Sequence, residues 1–426
     1  MNNDWTTCKI GDICKKICSG GTPKSNEPSY YGGNIPWLNT KEINFNRIYN
    51  TEKYITSSGF DNSSAKWIDA NSVIVALYGA TAAKVSINTI PLTTNQACCN
   101  LTIDETVADY RYVYYYLRRN YQHLALLANG GAQQNLNAQQ IKDFNIILPQ
   151  LPIQHKIANI LWTIDDKIEL NRRINDNLEE QAKALFKSWF VDSDRNEWVH
   201  YELGDITLIT AGGDRPSKYT NKKTIECYVP IYSNGIDNEG LYGYTDVAKI
   251  HEESITISAR GTIGYVCLRL EPYVPIVRLI SIIPNKKELS AKYLYLWALT
   301  QNITGTGTTQ QQLTVPIFRK TPISIPSDTK LKQFNSIADP LFSQIESNKK
   351  ENIKLSTLRD TLLPKLMSGE ISVEEVSLDE LAKLSFMHRL SSILSSNAPN
   401  IPAICFCSAS GGRFTTKFSN IACCTR

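Results

Sequence analysis

Asp166 to Phe190 reads DKIELNRRINDNLEEQAKALFKSWF, and 177 residues later Ser343 to Met367 reads SQIESNKKENIKLSTLRDTLLPKLM. Ile157, Leu161, Ile164, Ile168, Asn171, Asn175, Leu178, Ala182, Leu185 and Trp189 recur at alternating steps of four and three, the seam of a coiled coil. The same offset gives Phe334, Ala338, Leu341, Ile345, Asn348, Asn352, Leu355, Arg359, Leu362 and Leu366, with both Asn interruptions at the same steps. An Asn amide in an apolar seam costs stability but penalises slipped registers, so two matched pairs predict that the helices pack on each other. The competing expectation is that each helix lies on its own domain with its Asn side chains in water. From Ile153 to Phe190 no Gly or Pro interrupts the first helix, whereas Pro340 should kink the second or mark its true start.

Working outward, each copy closes a longer half. Trp5, Gly11-Asp12 and Gly20-Gly21 open the first as Trp198, Gly204-Asp205 and Gly212-Gly213 open the second. Gln133-Gln134-Asn135-Leu136 answers Gln310-Gln311-Gln312-Leu313, with Pro149 and Pro326 each thirteen residues beyond the leucine. A repeat this long buries its own core, unlike a solenoid unit. We read residues 1–150 as a first domain, 151–192 as its helix, 193–328 as a second domain, 329–376 as its helix and 377–426 as a tail. In the first domain, short β-type runs such as Ser72 to Leu77 and Phe144 to Leu148 alternate with Gly, Asn and Thr clusters, and a helical stretch spans Tyr110 to Ala128. The expected fold class is α/β in the α+β sense.

A composition of 42% hydrophobic and 20% charged residues is that of an ordinary globular protein, and a net charge of +4 means that any DNA-binding surface must be local. No apolar run approaches the roughly 20 residues that span a bilayer, and MNNDWTTCKI has no apolar signal core, so we expect a cytoplasmic chain with no membrane partner. Eleven cysteines without a Cys-x-x-Cys pair favour reduced thiols over disulfides, with no metal site expected.

The usual catalytic signatures are missing. There is no Gly-x-x-x-x-Gly-Lys-Ser/Thr phosphate loop, no His-Glu-x-x-His helix, no Glu-x-Lys and no Pro-Pro anywhere. Gly305-Thr306-Gly307 lacks the third glycine and preceding strand of a dinucleotide loop, and the five histidines have no paired spacing. No catalytic residue is assigned.

Polar, glycine-bearing loops recur instead. The first half offers Gly20-Gly21-Thr22-Pro23-Lys24, Asn39-Thr40-Lys41, Tyr78-Gly79-Ala80-Thr81 with Lys84, Asn95-Gln96, and Gln133-Gln134. The second offers Gly212-Gly213 with Arg215 and Lys218, Asn234, Arg260-Gly261-Thr262, Arg278, and Gln310-Gln311. Glycine lets backbone approach a phosphate, Lys and Arg neutralise it, and Gln, Asn and Arg can pair with base edges, so these residues are the candidate DNA-binding set. Taken singly, each loop reads more readily as a plain turn, and it is their recurrence in both halves that favours DNA reading. Tyr110 to Tyr121, YRYVYYYLRRNY, could suggest base stacking, but its partner KYLYLWALT lacks the arginines, which favours a packing helix.

LFKSWFVD at 185–192 and LLPKLMSGEI at 362–371, each closing a long helix, resemble the specificity subunit of type I restriction-modification systems, and the duplicated layout is similar too. The resemblance covers Trp5 to about Val376. It implies two tandem target-recognition domains joined by an antiparallel coiled coil, each reading one half of a split double-stranded DNA target. It implies a non-catalytic chain bound to two modification (methyltransferase) subunits and two ATP-driven restriction subunits. S-adenosylmethionine, ATP and Mg are then expected on those partners, with no cofactor in this chain. Ser377 to Arg426 departs from the family pattern and is assigned no function. The alternatives are a duplicated protein-binding scaffold without DNA specificity, which copurification with a methyltransferase would distinguish, and an enzyme with an unrecognised site.

Overall fold

The computed structural model describes residues 5–128, 135–193, 198–285, 289–303 and 313–373. Each half is a small mixed α/β domain followed by a long helix. In the first, Cys14–Ser19, Cys98–Ile103, Val73–Ala76, Val85–Asn88 and Arg47–Ile48 form a five-stranded sheet in that order. A second sheet runs Lys53–Ile55, Tyr31–Leu38, Leu92–Thr94, Trp67–Ile68, and Thr6–Lys9 pairs antiparallel with Asn145–Leu148 to close the domain. The second half repeats the plan: Thr207–Ala211, Ile280–Pro284, Ser254–Ile257 and Val266–Arg269 form one sheet, Leu241–Thr245, Val229–Tyr232 and Val274–Pro275 another, and Val199–Glu202 pairs with Pro322–Ile325.

Helix α1, Tyr110–Arg119, packs into the first domain with Tyr112 through Leu117 buried, so its rings are core and not a stacking platform. The helical stretch expected to reach Ala128 breaks at Asn120, whose side-chain amide donates to the Tyr116 carbonyl at 2.8 Å and ends the ladder before a second short helix, Tyr121–Leu126. Helix α2 runs Leu151–Phe186 and ends in a π-helical turn, Lys187–Val191. Pro152 lies in its first turn, where the missing N–H costs nothing. Helix α3, Ala291–Leu299, is the counterpart of α1: the Tyr112 hydroxyl donates to the Ile147 carbonyl as the Tyr293 hydroxyl does to that of Ser324.

Helix α4 runs Asp328–Ser368, so Pro340 lies inside it and does not mark its start. It begins 177 residues after α2. The pair packs antiparallel along the expected seam. Ile157, Leu161, Ile164, Ile168, Ala182, Phe334, Ala338, Ile345 and Leu366 are buried. The Asn residues do not face water: Asn171 Nδ2 donates to Asn352 Oδ1 at 2.9 Å and to Glu351 Oε2 at 2.7 Å, and Asn348 Nδ2 donates to Asn175 Oδ1 at 2.8 Å. Adding the repeat offset to one contact reproduces the other, which is the signature of a pseudo-twofold axis crossing the seam. Where α2 meets the second domain, Phe186, Phe190, Tyr293 and Phe334 pack edge-on with ring centres 4.9 to 6.4 Å apart.

Candidate nucleic-acid interface

Among the described residues, loops singled out from the sequence gather on one rim in each domain. In the first, the Gly21 N–H donates to the Thr94 carbonyl at 2.9 Å, Asn95 N–H to Leu38 at 3.0 Å, Leu77 N–H to Ala97 at 2.8 Å, and Leu136 N–H to Leu77 at 2.8 Å. These bonds stitch the turns at 20–22, 39–41, 78–81 and 95–97 together beside the chain at 135. Thr22 and Gln96 are both exposed and bonded side chain to side chain. Lys84 Nζ donates to Asn44 Oδ1 at 2.9 Å, and Thr81 ends a 3-10 turn, Gly79–Thr81. Lys24 is exposed.

In the second domain the Arg278 N–H donates to Gly212 at 2.8 Å, Val277 N–H to Gly213 at 2.9 Å, and Leu313 N–H to Ala259 at 3.2 Å. The amide of Asn234 closes the rim, donating to the Val277 carbonyl at 2.7 Å and accepting from the Ala259 N–H at 2.8 Å. Arg260, Thr262 and Arg278 stand exposed on it. Arg215 stacks 4.0 Å over the Tyr219 ring and donates to the Tyr242 hydroxyl at 3.1 Å, a bond that raises its pKa.

Several candidates have partners within their own domain. Gly20 and Gly212 allow close internal crossings: a Cβ on Gly20 would sit 2.0 Å from the Thr94 carbonyl oxygen, and one on Gly212 would sit 2.7 Å from the Ile276 nitrogen. Asn39 caps the Thr40–Glu42 turn, accepting from the Lys41 N–H at 3.2 Å, and Asn234 is committed to the backbone on both sides. These two amides build the rim; they do not project from it. Lys41 pairs with Glu52 at 3.4 Å, and Lys218 is shared by Glu226 and Asp246 at 3.3 and 3.4 Å. Gln133, Gln134, Gln310 and Gln311 lie outside the described residues.

Sequence reasoning missed Val277. It and Arg278 hold left-handed backbone, φ 54° and 60°, which for a β-branched residue is strained by roughly 1–3 kcal/mol. Bonds to Gly212, Gly213 and Asn234 impose the strain and present Arg278 outward; no local sequence signal marks it. The seven described cysteines are free thiols, and burial pushes Cys14 and Cys99 up to about 12. Among the described residues no group of His, Cys, Asp or Glu could hold a metal ion, and no helix is long and apolar enough to cross a membrane.

Comparison with known proteins finds the same duplication. The family model described as "Type I restriction modification DNA specificity domain" matches residues 2–180 and again 195–357. The chain belongs to this family. The Type I restriction enzyme MjaIX specificity subunit of Methanocaldococcus jannaschii is 29% identical over 412 residues, 88% of this chain and 95% of that one. The HindI specificity subunit of Haemophilus influenzae is 25% identical over 57% of this chain and 72% of its own. The crystal structure of a type I restriction-modification S subunit from M. genitalium shares the fold, with a TM-score of 0.52 at 20% identity over 86% of this chain and 97% of that one.

Proposed function

We propose that this chain is the DNA-sequence-specificity subunit of a type I restriction-modification complex. Its two recognition domains read the two halves of a bipartite double-stranded target, and the paired helices hold them at a set separation. The observation that carries this reading is the duplication of one stitched rim, bearing Arg260 and Arg278 in one copy and Lys24, Lys84 and Gln96 in the other, at the two ends of one antiparallel helix pair. Two domains of related fold with different exposed side chains suit two unlike half-sites.

The chain performs no chemistry in this reading. Base flipping and methyl transfer from S-adenosylmethionine fall to two modification subunits, and ATP- and Mg-dependent translocation and cutting fall to two restriction subunits, all in the cytoplasm. Mapping methylated adenines across the genome of cells carrying the chain with its neighbouring methyltransferase tests it. The expected result is one split motif with a fixed gap. A contiguous motif, or no motif despite an assembled complex, overturns the proposal.

A further inference from the structure

The two rims superimpose bond by bond. In the first domain the Asn95 N–H donates to the Leu38 carbonyl at 3.0 Å and the Cys98 N–H to that of Asn95 at 3.3 Å. In the second, the Ile276 N–H donates to the Tyr232 carbonyl at 2.9 Å and the Leu279 N–H to that of Ile276 at 3.0 Å. The flanking strands keep the same register. Leu38 pairs with Thr94 in parallel as Tyr232 does with Pro275, and Cys99 pairs antiparallel with Ser19 as Ile280 does with Ala211. The bond from Leu136 to Leu77 likewise has its counterpart from Leu313 to Ala259. These matches bracket both turns without a slip, so Gln96 and Val277 occupy the same place in the two rims.

That place carries an amide in one domain and a branched apolar side chain in the other. Gln96 is exposed and bonded to Thr22, and Val277 is 49% exposed. Left-handed backbone is where a β-branched residue fits worst, and Gly or Asn would fit there at less cost. Half in solvent, the methyl groups of Val277 give the fold little to set against that strain. Cations surround them. Arg278 follows in the chain, and Arg260 follows Ala259, whose N–H donates to the same Asn234 amide that donates to the Val277 carbonyl. Gly213 accepts from the Val277 N–H at 2.9 Å, and Lys249 Nζ lies 3.7 Å from where a Cβ on Gly213 would be. Arg260, Arg278 and Lys249 are all exposed.

We propose that Val277 is a specificity residue of the second rim, reading the 5-methyl group of a thymine at the position where Gln96 presents an amide in the first. The inference rests on the DNA-reading function proposed above and deepens it. Among the groups that base pairs show in the major groove, the thymine methyl is the apolar one; the others are hydrogen-bond donors and acceptors. Arg260, Arg278 and Lys249 supply charge that holds phosphate oxygens, and such contacts orient a duplex without choosing between bases. An apolar side chain set among them gains by covering a methyl, and against any other base edge it leaves a polar group without a partner. Gln96 can make paired bonds to adenine, so one turn of the fold reads different bases in the two halves.

Fluorescence titration of the chain in complex with its neighbouring methyltransferase, against duplexes carrying the mapped split site, tests this. Each thymine of the site, on either strand, is replaced in turn by deoxyuridine, which removes the 5-methyl group and keeps every hydrogen-bonding group. Expected is one thymine, in one half-site, whose replacement weakens binding roughly fourfold, the worth of one buried methyl. Val277→Ala should also bind more weakly and no longer respond to that replacement, so that the two changes together cost no more than either alone. Val277→Gln should shift the methylation map from thymine towards adenine at that position and at no other. If Val277 only aimed Arg278, V277A would weaken thymine and uracil duplexes by the same factor and the response to uracil would persist; that result overturns the inference. So does an unaltered complex that no uracil replacement weakens, even should V277A not fold. A methylation map without a split motif sinks the functional reading and this inference with it, whereas a split motif with no uracil response sinks this inference alone.

Discussion

Val277 is 49% exposed, so its side chain gains little from burial, while its left-handed backbone costs stability. Val277→Gly should therefore raise unfolding stability by about 1 kcal/mol, the strain relieved less the extra chain entropy of glycine. The same change should weaken binding at the second half-site, because Arg278 loses its enforced direction; denaturant unfolding and half-site titration check the two signs. Replacing Arg215 or Arg260 by Ala should weaken binding at the second half-site and leave the first half-site's preference intact. Loss of a phosphate contact would weaken all sequences alike and flatten the salt slope by about one, whereas loss of a base contact would relax one position by roughly 1–3 kcal/mol. Fluorescence titration over a salt series separates the two, and unaltered affinity and slope would retire the residue from the site.

At the scale of elements, the seam Asn ladder determines register more than it adds stability. Asn171→Leu alone should cost about 1–3 kcal/mol, because it leaves the Asn352 amide facing hydrocarbon and Glu351 without one of its donors. Asn171→Leu with Asn352→Leu should recover most of that in thermal unfolding, at the expense of a unique register. Helix length, seam phase and the facing Asn pairs were legible because a heptad pattern is local and repeats. The gathering of the rim was legible only as recurrence of polar loops in both halves, since the bonds that assemble it, such as Asn234 to Val277, join residues 43 apart. The close crossings at Gly20 and Gly212 were not legible, because the backbone that crowds them comes from Thr94 and Ile276, far along the chain. Arg359 takes a seam position in the sequence, and its partner Asp165 lies 194 residues away with no local mark.

For the whole molecule, the proposed function makes the antiparallel helix pair the ruler between half-sites, and its register defines how to lengthen it. Asn171 faces Asn352 and Asn175 faces Asn348, so duplicating Glu169–Asn175 within α2 and Glu346–Asn352 within α4 inserts one heptad in each helix. Every old Asn then meets a new one, and the ladder grows from two rungs to four without a slip. The insertion adds about 10 Å at 1.5 Å per residue, equal to about three base pairs at 3.4 Å each. Three base pairs also turn the second half-site by roughly 100° around the duplex, at 10 to 10.5 base pairs per turn, and a straight extension of the helices does not supply that rotation. The lengthened chain should therefore methylate sites with a gap longer by about three base pairs at reduced efficiency, or lose activity altogether. Genome-wide mapping of methylated adenines reads the outcome. Full methylation at the original gap by a properly folded double insertion would show that something other than the helices sets the spacing.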